Sequence, residues 1–243
     1  MYLNSRFFYV IPITVLSLIV YIFKTATALQ IFSIYLLYFF LYSNCISFGS
    51  HIINCHKEVI IHPFLNNFYK LISVFCFLGS PTWQRSGHLS HHKWAETSKD
   101  CQPANIKQLR GYSDLSRIDK KILVRSLTQQ TAFDIFLNKY YFLLIFGFHL
   151  TCLMLLKMNY YLYFVLFPSL LTLFSIYLVR IFGHIHFANY KNNNCPGYNI
   201  PWLFFLVFDD AWHNNHHSEA EGNETKTQWF EIRINDLWKK ILT

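Results

Sequence analysis

Four long apolar stretches alternate with polar segments along this chain. Residues 7–23, 31–48, 140–156 and 160–179 contain no Asp, Glu, Lys or Arg. Each is close to the ~20 residues that a helix needs to cross a bilayer. The pattern predicts an all-α polytopic membrane protein with four transmembrane helices in two hairpins, over about 7–23, 29–50, 140–157 and 160–181. A shorter apolar run, 64–78, is flanked by Pro63 and Pro81. It is too short to span and is placed in the interface. The remainder, 51–139 and 182–243, is expected to form a cytosolic helical cap, with the whole of 1–243 as one domain.

Charge fixes the orientation. Of 21 Lys and Arg, ten lie between Trp83 and Lys139 and six from Arg180 onward, against one in each predicted hairpin turn, Lys24 and Lys157. An excess of basic residues marks the cytosolic side, so both termini and the central loop are expected there. Arg6 and the Thr25–Ala28 segment loosely resemble signal-peptide features, but the first apolar run is longer than the ~7–15 residues of a signal core.

Composition agrees with this. Charged residues make up 14% of the 243 residues, against about 25% in soluble domains. The net charge of +8 suits an anionic lipid surface or an acidic partner. The basic residues are scattered and no nucleic-acid motif occurs, so nucleic acid is excluded as a partner. The six cysteines form no CxxC pair and read as reduced, buried hydrophobes on the cytosolic side or in the spans.

The chemistry lies in histidine. Ten of the 12 histidines fall in four groups: His51 and His56 (HX4H); His88, His91 and His92 (HX2HH); His184 and His186; and His213, His216 and His217 (HX2HH again). About 0.03 HX2HH matches per chain are expected by chance at this histidine content. Positions i, i+3 and i+4 share a helix face, so each triplet can present its imidazoles together. HX4H turns its second side chain by ~140° on a regular α-helix. His51 is therefore expected on the last turn of the second span and His56 just beyond it, with Gly49 permitting a bend. His62 and His149 are left outside the site.

Neutral imidazole is the commonest protein ligand for transition metals. Nine imidazoles exceed one zinc site and fit two metal ions with open positions. Such a site beside apolar walls suits a redox reaction on a lipid. A metal-binding or metal-transport membrane protein is the rival of another class. Transporters hold their ligands near the bilayer midplane, whereas these groups fall at span ends and in loops.

In order and spacing, HX4H, HX2HH and HX2HH resemble the membrane fatty acid desaturases, in particular the acyl-CoA Δ9 (stearoyl-CoA-like) branch. The run from His91 to Asp100 resembles that branch's HHK(F/W)xETxxD, and Trp212–His217 its WHNNHH. Trp229–Ile232 and Phe187–Lys191 are similar to segments that follow the last box and the NSxxH motif. The likeness covers about residues 29–240. It implies a single desaturase domain with a centre of two iron ions held by His51, His56, His88, His91, His92, His186, His213, His216 and His217. His184 is a possible further ligand in place of the family's water-linked asparagine, and Trp83 and Arg85 are substrate-binding candidates. The implied reaction is O2-dependent insertion of a cis double bond, at Δ9 for this branch, into a fatty acyl chain carried on CoA or another acyl carrier. A lipid hydroxylase or ketolase of the same superfamily would share the boxes.

The chain departs from the family at several places. Phe182 stands at the asparagine of NSxxH. Ile52 and Lys57 stand where arginine is usual, and Asp209-Asp210-Ala211 replaces Gly-Glu-Gly. No HPGG haem motif occurs, so electrons are expected from a separate donor, cytochrome b5 or a ferredoxin. The membrane implied is the endoplasmic reticulum in a eukaryote or the inner membrane in a bacterium.

Overall fold

The computed structural model describes residues 7–102, 115–186, 189–191, 194–220 and 228–242. Phe187 and Ala188 of the expected post-NSxxH segment lie outside the described residues. Helices dominate, and the only β feature among the described residues is an isolated bridge between Tyr190 and Asn199.

Helix α1 (Phe7–Thr25) leads into α2 (Ala28–His56) through a capping box. Thr27 accepts from the Gln30 amide, and the Gln30 side chain accepts from the Thr27 amide, which satisfies two of the orphan donors of a helix start. Helix α2 has 29 residues, roughly 40 Å at an α-helical rise, longer than the ~30 Å hydrocarbon layer. Helix α3 (Pro63–Phe75) and α4 (Pro81–Trp94) both begin with proline at the first turn. There the missing N–H costs nothing. Helix α5 (Lys120–Thr128) is capped by Asp119. Helix α6 (Ala132–Lys139) meets α7 (Tyr141–Leu155) at a 72° bend, and α8 runs from Met158 to Phe182. Three short helices complete the described chain: α9 (Phe204–Val207), α10 (His213–Ala220) and α11 (Ile234–Leu242).

Two helices, α2 and α8, are long and apolar enough to cross a membrane, and the bent α6–α7 pair would make a third span if counted as one. The apolar part of α1, Val10–Thr25, is shorter. Val15, Leu18 and Ile22 of α1 pack in one buried cluster with Ile34 and Tyr38 of α2 and Phe167 and Leu171 of α8. Outward residues are apolar and exposed, among them Ile13 of α1, Phe32 of α2, and Phe142 and Phe146 of α7. A surface that is apolar all round is what a lipid solvent requires.

The second half of α2 corrects an expectation. From Phe40 to His56 the helix is π-wound, with i→i+5 hydrogen bonds in place of i→i+4. The helix therefore does not stop near His51. It ends at Lys57, which adopts the left-handed conformation with φ 59°. Gly49 does not bend the chain. A Cβ there would lie 2.3 Å from the Tyr69 ring of α3, so the glycine lets α3 pack directly on the π-helical stretch. Gly49→Ala is expected to lower stability by about 1–3 kcal/mol through overpacking, read as a fall in the thermal midpoint of the detergent-solubilised protein.

Candidate metal centre

The π winding explains HX4H. Positions i and i+5 lie nearly above one another when hydrogen bonds run i→i+5, so His51 and His56 share a face with ring centroids 5.1 Å apart. The two HX2HH triplets do not each serve one site, as a shared face suggested. Each is divided. His88 and His92 join His51, His56 and His216 in a first cluster, while His91 joins His184, His213 and His217 in a second. The (i, i+4) pairs His88/His92 and His213/His217 stay together, and the intervening His91 and His216 cross to the opposite group. Helices α4 and α10 thus each contribute to both clusters.

Within the first cluster the Nε2 atoms stand at 2.7 Å (His56–His88), 2.9 Å (His51–His88 and His88–His92), 2.8 Å (His92–His216) and 3.0 Å (His51–His216). In the second, Nε2 of His184 is 3.1 Å from that of His91 and 2.9 Å from that of His213, which is 3.1 Å from that of His217. A neutral imidazole has one donor and one acceptor, so five converging Nε2 atoms cannot satisfy one another. Metal–nitrogen bonds of ~2.1 Å place neighbouring ligands ~3 Å apart at right angles, and the observed spacing fits that arrangement. Each group is thus fitted to hold one cation.

The outer nitrogens are braced by carboxylates. Nδ1–H of His91 donates to both oxygens of buried Asp100 at 3.0 Å. Nδ1 of His184 lies 3.5 Å from Glu96, and Nδ1 of His51 lies 3.4 Å from Asp210. Asp210 is itself held by the Tyr42 hydroxyl at 2.9 Å and the Ser47 hydroxyl at 3.0 Å. Such partners fix the tautomer and aim Nε2 inward. Asp100→Asn is expected to weaken metal binding about 10–100-fold, measured by competition with a chromophoric chelator.

Burial, followed by the neighbouring imidazoles, pushes the pKa values of His88, His92, His213, His216 and His217 well below the ordinary imidazole range. Burial also lowers His184, opposed by its hydrogen bond to Glu96, and that bond holds the Glu96 carboxyl down at about 2. These six imidazoles are therefore neutral, with lone pairs available. A folded-state pKa below the unfolded value of ~6.5 gives stability that is present above that value and lost as pH falls through it. The chelator-treated protein is expected to lose stability steadily from about pH 6.5 downward, as measured by its thermal midpoint.

One expected ligand is displaced. His186 is exposed, beside the Tyr198 ring at 5.3 Å, and belongs to neither cluster. His184, two residues closer to the end of α8, takes the place. Its amide still bonds the Ile181 carbonyl at 3.3 Å, so the helix end carries the ring inward, and by His186 the chain has turned outward. Counted from His184, the asparagine position of NSxxH falls on Arg180, which lines the cavity beside His213 and Asp210. Phe182 instead packs edge-on against Trp202 at 5.0 Å. Two glycines that spacing did not single out seat His213. A Cβ on Gly183 would lie 2.5 Å from its ring, and one on Gly197, at φ +93°, would lie 3.0 Å away.

The histidines set aside stay outside. His62 caps α3 by accepting from the Phe64 amide at 3.3 Å, and His149 meets the Phe75 carbonyl at 3.1 Å and stacks on Phe77. Five of the six cysteines are buried, Cys152 being partly exposed.

No family model matches the chain. Known relatives do. An "sn-1 stearoyl-lipid 9-desaturase" of Anabaena variabilis is 23% identical over 213 residues, covering 81% of this chain and 74% of the relative. An "sn-2 palmitoyl-lipid 9-desaturase" of Nostoc sp. (strain 36) is 24% identical over 200 residues, covering 78% and 70%. A "Delta-9 desaturase-like 2 protein" of Arabidopsis thaliana is 23% identical over 198 residues, covering 78% and 66%. Taken with the histidine clusters, these relatives support the desaturase family for this chain and mark it as an enzyme, an oxidoreductase.

Proposed function

We propose that the chain is an O2-dependent desaturase that inserts a cis double bond, at Δ9, into a fatty acyl chain, with one iron ion in each histidine cluster. The observation that carries this reading is the pairing of two adjacent imidazole clusters with an apolar cavity. Ile46, Leu78, Leu173 and Ile176 wall the cavity, and His51, His88, His213 and His216 close it. An unactivated C–H bond offers side chains neither an acid nor an electrophile. The irons would supply the activation of O2 and the acceptance of electrons from a separate donor, cytochrome b5 or a ferredoxin. The chain's own part is to hold the nine imidazoles aimed at two points, to extend the acyl chain past them, and to exclude water.

The proposed topology has four spans in two hairpins with both termini and the cap on the cytosolic side. Helices α2 and α8 each run into a cluster at their end, which supports placing both metals on one face. Histidines at helix ends weigh against transport, which needs ligands near mid-span.

Carrier recognition is proposed at a second, polar cavity lined by Lys57, Lys70, Arg85, Gln129 and Asp134. Lys70 pairs with Asp134 at 2.7 Å, and Arg85 and Lys57 both donate to Gln129, at 2.8 and 3.0 Å. Of the two candidates read from sequence, Arg85 lines this cavity and Trp83 does not. The cationic lining suits a phosphate-bearing carrier. The names of the Anabaena and Nostoc relatives specify lipid-linked chains and favour that carrier, with acyl-CoA as the second reading.

The test supplies purified, iron-loaded protein in proteoliposomes with a reducing donor and either isotopically labelled phospholipid or labelled acyl-CoA. A labelled monoene in the phospholipid arm is expected. A monoene only in the CoA arm would reassign the carrier, and an oxygenated product would replace desaturation with hydroxylation.

A further inference from the structure

Residues 200–208 read Ile-Pro-Trp-Leu-Phe-Phe-Leu-Val-Phe, and their one polar side-chain group, the Trp202 indole N–H, donates to Asn189 Oδ1 at 3.0 Å. They lie between the second cluster's His184 and His213, and spacing assigned them only to the cap. The segment folds back on itself. The Ile200 amide donates to the Ala211 carbonyl at 2.7 Å, and between them lie a short 3-10 turn, Pro201–Leu203, and the single-turn helix α9.

Its depth follows from hydrogen bonds to the spanning helices. One end of the bundle is marked where Tyr163 donates to Thr25 at 2.6 Å and Tyr21 to Asn159 at 2.8 Å. The histidine clusters mark the other. Tyr35 and Tyr38 lie 7 and 10 residues into α2 from Ala28, about 10–15 Å from the first end, inside a layer ~30 Å thick. The Tyr35 hydroxyl donates to the Phe205 carbonyl at 3.0 Å, and that of Tyr38 to the Leu206 carbonyl. Tyr38 also meets Ser175 of α8 at 2.7 Å. Irregular backbone persists at bilayer depth only where protein groups satisfy its polar atoms, and these two tyrosines satisfy the carbonyls that a one-turn helix leaves open.

The side chains sort accordingly. Leu203, Val207 and Phe208 are buried with Tyr38, Leu171 and Trp212. Phe205 is 76% exposed and Trp202 46%. Phe32 and Leu36, which flank Tyr35 on α2, are also exposed, so the apolar outer surface of the span continues onto the segment.

We propose that residues 200–208 form a re-entrant wedge that enters the bilayer from the histidine side, packs on α2 and α8, turns at Phe205 and returns to deliver His213. Its partner is the acyl-chain region of the bilayer, contacted by Phe205 and Trp202. The proposal rests on the membrane reading of α2 and α8, and not on the reaction.

The test places nitroxide labels on the full-length protein in proteoliposomes. The background is Cys152→Ser, since the other five cysteines are buried. Labels go at Phe205→Cys and Trp202→Cys, with Phe32→Cys as the lipid control and exposed Ser98→Cys as the aqueous control. Collision rates with O2 and with a water-soluble nickel chelate are compared. The labels at 205 and 202 are expected to match 32, with high O2 and low nickel collision, opposite to 98. A label at 205 that collides with nickel as 98 does, or that is shielded from both reagents, would overturn the wedge. If the label at 32 also meets nickel freely, the membrane reading fails, and the wedge with it.

Discussion

His88→Ala is expected to abolish turnover, a loss of at least about 10³-fold, and, with one iron proposed in each cluster, to lower bound iron from two ions per chain toward one. Nε2 of His88 has three close neighbours in the first cluster, those of His51, His56 and His92, so its removal opens the shell of one metal at its most connected corner. The second cluster shares no ligand with the first and should keep its ion. The loss of one iron, and not both, is the particular consequence of dividing the triplets. If each HX2HH triplet served its own metal, His88→Ala and His91→Ala would empty the same site. On the present geometry they empty different ones, which iron counting together with the spectra of cobalt-substituted protein separates. Membrane insertion should be unchanged, because α4 is not among the spanning helices.

The second large effect is a contrast between two histidines two residues apart. His184→Ala is expected to remove activity and one metal, as His88→Ala does. His186→Ala should retain both, within about twofold. The ring of His184 is buried between His91 and His213 and braced by Glu96, whereas His186 is exposed. Metal analysis and turnover of the paired variants check this. Inactivity of His186→Ala with normal metal content would give that residue a role outside the clusters.

Much of the site was legible in the sequence because its signal is local. HX2HH on an α-helix needs only 3.6 residues per turn to align its imidazoles, and eight of the nine clustered histidines follow from the three spaced boxes. What escaped depends on facts that spacing does not encode. The division of each triplet is tertiary, set by which helix stands opposite which face. The exchange of His186 for His184 depends on where α8 ends, and helix ends are the least certain part of any pattern. The π winding of α2 reverses the geometry deduced for HX4H, since an α-helical period was assumed where i→i+5 bonding holds. Gly49 looked like a hinge because glycine permits bends. Its reason is the Tyr69 ring, a partner 20 positions away along the chain.

The fold divides in the same way. Apolar runs located the long helices α2 and α8. The bend between α6 and α7 could not be read from the apolar run, because it falls at Tyr140, where that run begins, and the α6 before it carries Asp134 and Lys139. The apolar segment at 200–208 was too short to register as a span and was absorbed into the cap. Its significance appears only with the tyrosines of α2 that meet its carbonyls.

The most direct measurement is the fatty acid profile, by gas chromatography with mass spectrometry, of a desaturase-deficient host expressing this chain beside a His88→Ala control. A new cis-Δ9 monoene, absent from the control at equal protein level in the membrane, is the result expected. An unchanged profile, with two irons bound per chain and a competent electron donor supplied, would contradict the desaturase reading.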